Sequence, residues 1–229
     1  MASVIRSSLL VLAAAALAAC NNGGQATSGS SGVASTAVKA DEGYLFADDY
    51  ILGDPDAPVV LMEYASVACP ACANWHATVY PEFKTKYVDT GKVRYVFRPY
   101  PTNPVAMADT GHKLAYCGKR EDYFTNIKLQ FDRQRQLIDM LQNGKGREAY
   151  VNLAKASGLT EDEFVAHAGD EDISERYKTV VQSGQDLGVA GTPSFFVNGE
   201  KVKGFTLETL EESLLPALGE SAPEPTEDG

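Results

Sequence analysis

Two thiols, Cys69 and Cys72 in the run Cys69-Pro70-Ala71-Cys72, are the residues of this chain best placed to do chemistry. A pair at this spacing can ligate a metal, close a small disulfide or exchange disulfides with another thiol. A structural zinc site needs about four ligands. Only His76 joins the two thiols nearby, and the remaining cysteines, Cys20 and Cys117, form no second pair. An inert disulfide would close a very short loop, where a cross-link removes the least chain entropy. A redox dithiol fits the setting better. Pro58 to Tyr64 is a short apolar run led in by the turn cluster Asp54-Pro55-Asp56-Ala57-Pro58, the pattern of a buried strand. From Pro70 onward the period turns helical, with Trp75, Val79 and Phe83 on one side. The thiols therefore sit where a strand gives way to a helix, facing unpaired N–H groups and a positive pole that stabilise a thiolate. Pro70 suits the first turn, where its missing N–H costs nothing. This predicts an exposed, nucleophilic Cys69 at the cap and a shielded Cys72 one turn in.

Glu63 is the only charge in the strand that leads to the dithiol. An unpaired buried carboxylate is expensive, which an edge position or a lysine partner would relieve. If it is buried, the loss of water disfavours its charged form and makes it a candidate proton carrier for Cys72. His76 could tune the dithiol from the helix or simply be solvated. Cys117 reads as a small buried hydrophobe. His112, His167, Ser66 and Ser194 belong to no recognisable constellation.

The elements that must hold these residues need a real core, and 229 residues are ample for one. Apolar content of 44% and charged content of 22% are ordinary globular values. A net charge of −11 argues against nucleic acid and against attraction to anionic lipid. Residues 1–19 read as a signal peptide, with Arg6 as its basic start and Leu9 to Leu17 as its apolar stretch. It is too short to remain as a spanning helix. Leu17-Ala18-Ala19-Cys20 resembles the bacterial lipoprotein box, which implies lipidation at Cys20. Residues 20–42 are rich in Gly, Ser, Ala, Thr and Asn and read as a flexible tether.

Beyond the first helix, Thr90-Gly91 turns the chain into a second strand, Val93 to Arg98, which Pro99 to Pro104 ends. Val105 to Cys117 has helical character, and helix signals continue to Leu187. In Leu159-Thr160-Glu161-Asp162-Glu163-Phe164, Thr160 caps, Glu163 closes the box and Leu159 staples to Phe164. Gly169 supplies a stop. Strand returns at Ser194 to Val197, and Asn198-Gly199 predicts a hairpin into Glu200 to Phe205. Thr206 caps a last helix whose Leu207, Leu210, Leu214 and Leu218 share a face, with Pro216 near its end. Residues 220–229 form an acidic tail.

Two stretches of this order carry a family resemblance: Glu63-Tyr64-Ala65-Ser66-Val67-Ala68-Cys69-Pro70-Ala71-Cys72 and Gly188-Val189-Ala190-Gly191-Thr192-Pro193-Ser194-Phe195-Phe196-Val197-Asn198-Gly199. Together they resemble the DsbA family of bacterial thiol–disulfide oxidoreductases over roughly Tyr44 to Gly219. The resemblance implies an α/β thioredoxin-like fold, a central mixed sheet flanked by helices, with an inserted all-helical subdomain. Its parts would be 43–111 and 188–219 for the thioredoxin-like domain and 112–187 for the insertion. It implies that Cys69 is the attacking thiolate, Cys72 the resolving thiol and Glu63 the buried acid behind it. Pro193 would be a cis-proline beside the disulfide, with the backbone at Thr192 free to pair with a substrate strand. Two positions depart from the strongly oxidising members: Ala71 stands where they often carry histidine, and Thr192 where one well-known oxidase has valine.

The expectation is a lipid-anchored extracytoplasmic enzyme that donates disulfides to exported proteins and needs no dissociable cofactor. A membrane redox partner would recycle it. Reduction or isomerisation of disulfides is the alternative within the class, and Cu(I) carriage by soft thiolates the alternative outside it.

Overall fold

The computed structural model describes residues 43–221. The signal peptide, the whole tether with Cys20, and residues 222–229 lie outside them. A five-stranded sheet runs in the order β1 (Ile51–Leu52), β3 (Val93–Pro99), β2 (Val59–Ala65), β4 (Ser194–Val197), β5 (Glu200–Lys201). The central strand β2 is parallel to β3 and antiparallel to β4, so both its edges are paired. All seven of its residues are buried, which explains why it reads as an apolar run interrupted by Glu63 alone rather than an alternating one.

The pleat still sorts its side chains. Val59, Leu61 and Ala65 join the core under α1 (Pro70–Thr78) and α9 (Leu207–Ala217), whereas Val60, Met62 and Tyr64 face Val180 of α8 (Glu171–Asp186) on the other side. Glu63 alternates with the first set. Its place in the sequence of the strand therefore fixes it on the face that carries the dithiol helix.

After β2 the chain forms α1, the short α2 (Tyr80–Phe83) and a wide turn of helix at Lys84–Val88, then returns as β3. The helical insertion follows: α3 (Val105–Tyr116), α4 (Tyr123–Asp132), α5 (Gln134–Gln142), α6 (Gly146–Ala156), α7 (Glu161–Ala168) and α8. Residue 112, where the insertion was expected to start, lies inside α3. Met107, Leu114, Leu137, Tyr150, Leu153 and Phe164 form a second core that reaches Ala68, the residue before Cys69. Among the described residues no helix is long and apolar enough to cross a membrane.

The local signals act largely as expected. Thr160 Oγ1 accepts from the Glu163 N–H at 3.2 Å and Glu163 Oε2 from the Thr160 N–H at 2.8 Å, a complete capping box. Gly169 is the C-cap of α7 as expected, though at φ −90° rather than in the left-handed region, and Asp170 caps α8 directly after it by accepting from the Ile173 N–H. Asn198 and Gly199 take φ 47° and 85°, both left-handed as a tight hairpin requires. Asn198 Oδ1 also accepts from the Val60 N–H at 2.8 Å, so the turn residue anchors the hairpin to β2. The second arm is shorter than predicted, with β5 only Glu200–Lys201.

Candidate active site

Cys69 is the N-cap of α1, extended at φ −84° and ψ 120°, with Pro70 inside the first turn. Its Sγ accepts from the Cys72 N–H at 3.4 Å and lies 3.4 Å from the Thr192 carbonyl oxygen, to which a thiol here donates. Both cysteines are free thiols. Cys69 is only 8% exposed, less than a cap position suggested, because the Thr192–Pro193 loop folds over it. Cys72 is fully buried. The Thr192–Pro193 peptide bond is cis, as is that of Asn103–Pro104, which the sequence did not flag.

The two thiols differ sharply in acidity. Cys69 is lowered well below the ordinary thiol range, to about 5. The hydrogen bond from the Cys72 thiol is the largest cause; the Thr192 side chain and the amides of Cys72 and Ala71 add to it, and burial opposes it. The sequence pointed to the helix N-terminus as the main cause, but the neighbouring thiol contributes more than the amides. Cys72 moves the other way: burial raises it far above the ordinary value, and the Glu63 charge raises it further.

Glu63 is fully buried. Its Oε2 lies 3.0 Å from His76 Nε2 and accepts a short hydrogen bond from the Tyr95 hydroxyl, while Oε1 has no hydrogen-bond partner among the described residues. The relief is neither an edge position nor a lysine. His76 supplies it, one turn beyond Cys72 on the same helix face.

A thioredoxin family model matches residues 47–214. The chain belongs to the thioredoxin family. A Rickettsia bellii protein that carries the name protein-disulfide oxidoreductase is 30% identical over 178 residues, covering 76% of this chain and 66% of its own length. The chain thus spans just under two thirds of that relative. A Bacillus anthracis relative named for disulfide bond formation, protein D, is 26% identical over 165 residues, with 70% of this chain and 75% of that one covered. Among solved structures, Wolbachia pipientis alpha-DsbA1 superposes with a TM-score of 0.65 at 28% identity, covering 76% of this chain and 93% of that one.

In this thioredoxin-family chain the helical insertion reaches back to hold the dithiol loop. Gln134 Nε2 of α5 donates to the carbonyl oxygens of Val67 at 2.8 Å and Cys69 at 3.0 Å. His112 of α3, fully buried, accepts from the Val67 N–H through Nε2 at 3.2 Å. That bond leaves Nδ1 to carry the proton, which it donates to the Tyr177 hydroxyl at 3.2 Å; Tyr177 in turn donates to Asp109 at 2.7 Å. Burial lowers the His112 pKa to about 3, so the ring stays neutral and its acceptor nitrogen stays available. Nothing near His112 or Gln134 along the chain marks a role for them, since the partner of His112 lies 45 residues away and those of Gln134 lie 67 and 65 away. Cys117 is buried as expected, its thiol donating to the Lys113 carbonyl at 3.2 Å, and burial raises it to about 12.

Proposed function

We propose that this chain is a thiol–disulfide oxidoreductase of the extracytoplasmic space that donates disulfides to exported proteins. The observation that carries the proposal is the opposite displacement of its two thiol acidities, Cys69 lowered to about 5 and Cys72 raised. A low-pKa thiol is a good leaving group and a stable thiolate, whereas a buried, high-pKa thiol is a poor target for outside reagents.

In the oxidised enzyme Cys69 and Cys72 share a disulfide. A substrate thiolate attacks Cys69 Sγ; the Cys69–Cys72 bond breaks and the electron pair leaves on Cys72, which takes up a proton. A second substrate thiolate then attacks the substrate sulfur of the mixed disulfide. The substrate disulfide forms, and the electron pair leaves on Cys69 as its stabilised thiolate. Substrate loses two electrons, the dithiol gains them, and no dissociable cofactor takes part. Thr192 and Pro193 are the substrate-binding residues of this reading, the Thr192 backbone beside Cys69 being available to an extended chain. Glu63 serves as the proton partner of Cys72. A membrane redox partner reoxidises the dithiol.

The test is transfer. Oxidised protein mixed with a reduced, unfolded protein that requires a disulfide should become reduced while the substrate gains the bond. If the substrate stays reduced and the protein stays oxidised, the proposal falls.

The same reading places the enzyme on a lipid anchor at Cys20, with residues 20–42 as tether. Cys20→Ser should leave the domain folded and move it from the membrane fraction to the soluble fraction. Unchanged fractionation, with no added mass at the mature N-terminus, would refute the anchor.

A further inference from the structure

We infer that His76 is the relay through which Glu63 exchanges the proton of Cys72 with solvent; this rests on the reading of Glu63 as that proton's carrier. Glu63 is fully buried and cannot meet water itself. Among the described residues the Tyr95 hydroxyl donates to Glu63 alone, and burial raises Tyr95 well above the ordinary tyrosine value, so it remains a donor. Among the described residues Oε1 has no hydrogen-bond partner, which leaves it free to take a proton, and Glu63 is near enough for its charge to act on Cys72. The remaining contact is His76 Nε2, at 3.0 Å from Oε2.

His76 and Tyr95 both contact Glu63 and line the cleft beside it, but Tyr95 keeps its proton, so the imidazole is the group able to carry one outward. It stacks on Phe131 at 4.2 Å between ring centroids and 21° between planes, with Trp75 at 5.1 Å and Tyr80 at 4.9 Å on its other sides. Those contacts fix the ring against Glu63. Its outer edge helps line a cleft of about 800 Å³ between α1–α2 and α4, whose polar lining includes Lys84, Asp89, Lys128 and Asp132. The His76 side chain is 7% exposed, against 0% for Glu63. Histidine is suited to the task because one ring nitrogen can accept a proton while the other releases one.

Resolution of a mixed disulfide by Cys72 begins with loss of its proton. The Cys72 thiol gives its proton to Glu63 Oε1, and the resulting thiolate attacks Cys69 Sγ. The Cys69–Cys72 bond forms, the Cys69–substrate bond breaks, and substrate leaves as thiolate with the electron pair. The protonated carboxyl then turns so that the same proton faces His76 Nε2; with the ring in its Nδ1–H tautomer, Nε2 takes that proton as Nδ1 releases its own to water in the cleft, and Glu63 returns to the carboxylate. The departing thiolate draws its proton from solvent. Disulfide donation runs the same path backwards, delivering a proton to Cys72 as it leaves.

Stopped-flow measurement of mixed-disulfide formation and resolution with a peptide disulfide tests this. His76→Gln keeps a polar partner for Glu63 but cannot carry a proton. It should slow resolution by at least about tenfold, short of the about hundredfold that a group in direct proton transfer contributes, while formation stays within about twofold. The double variant Glu63→Gln/His76→Gln should be no slower than Glu63→Gln alone, because two groups in series are not additive. Added imidazole should restore resolution in His76→Ala, where the cleft extends to Glu63. Wild-type resolution in His76→Gln beside slow resolution in Glu63→Gln would overturn the relay and leave Glu63 standing. Unchanged resolution in Glu63→Gln would overturn both. Equal slowing of formation and resolution in His76→Gln, or full additivity in the double variant, would assign His76 to structure and overturn the relay.

Discussion

Cys69→Ser is expected to abolish thiol–disulfide exchange, and Cys72→Ser to arrest it at the mixed disulfide. With Cys69 at about 5, nearly all of this thiol is thiolate at neutral pH, and a serine hydroxyl in its place is not ionised there. The rate should fall on the order of 10³-fold or more, the scale on which loss of a nucleophile is felt. Cys72→Ser removes only the second sulfur. The serine hydroxyl can still donate to Cys69, so Cys69 keeps its reactivity, and covalent adducts with substrate should accumulate on non-reducing gels. Iodoacetamide should label Cys69 before Cys72 in the reduced wild type, since Cys72 is fully buried and its proton is held by desolvation. Faster labelling of Cys72 would reverse the assignment.

The second large effect concerns pH. A folded pKa of about 5 lies well below that of a free thiol at about 8.5, so the reduced form is stabilised by its thiolate. The oxidised form has no proton to lose at these sulfurs. The advantage of the reduced form is therefore full above about pH 8.5, shrinks as pH falls from there, and is gone below about 5. Alkylation of Cys69 followed against pH should show its midpoint near 5. Cys72→Ala deletes the largest single cause of the shift and should move that midpoint upward, whereas Cys72→Ser, which keeps an O–H donor, should move it less. An alkylation midpoint above about 8 in the wild type would remove the physical basis of the oxidising role.

How much of this was legible in the residues depends on how far apart the partners lie. The Cys69-Pro70-Ala71-Cys72 junction, the Thr160–Glu163 box and the Asn198-Gly199 turn are all written within a few positions, and each forms where its local chemistry requires. Glu63 was recognisable as an anomaly from its type alone, one charge in an apolar strand, but its facing became visible only once β2 was paired on both sides. His76 had a signal that could have been weighed more heavily: four residues after Cys72, it shares that helix face. Gln134 and His112 had none, because a polar residue in a polar helix looks solvated until the fold carries it to the dithiol loop. The same holds for Arg98, whose buried bond to Asp49 at 2.6 Å pins the segment before β1 to β3 across 49 positions. Ala71 was expected to leave the thiolate only partly stabilised. At about 5, Cys69 lies between the about 3.5 of a strongly oxidising dithiol and the about 7 of thioredoxin, in keeping with that expectation.

The central claim is that a stabilised Cys69 thiolate makes this dithiol an oxidant. Equilibrating the protein against a series of glutathione buffers at pH 7, and reading the fraction reduced, tests it most directly. The account predicts a reduction potential between about −270 mV, that of thioredoxin, and about −120 mV, that of a strong periplasmic oxidant. Each 30 mV across that interval corresponds to about 1.4 kcal/mol in this two-electron couple, so the placement is well resolved. A potential at or below about −270 mV would make the chain a reductase and contradict the account.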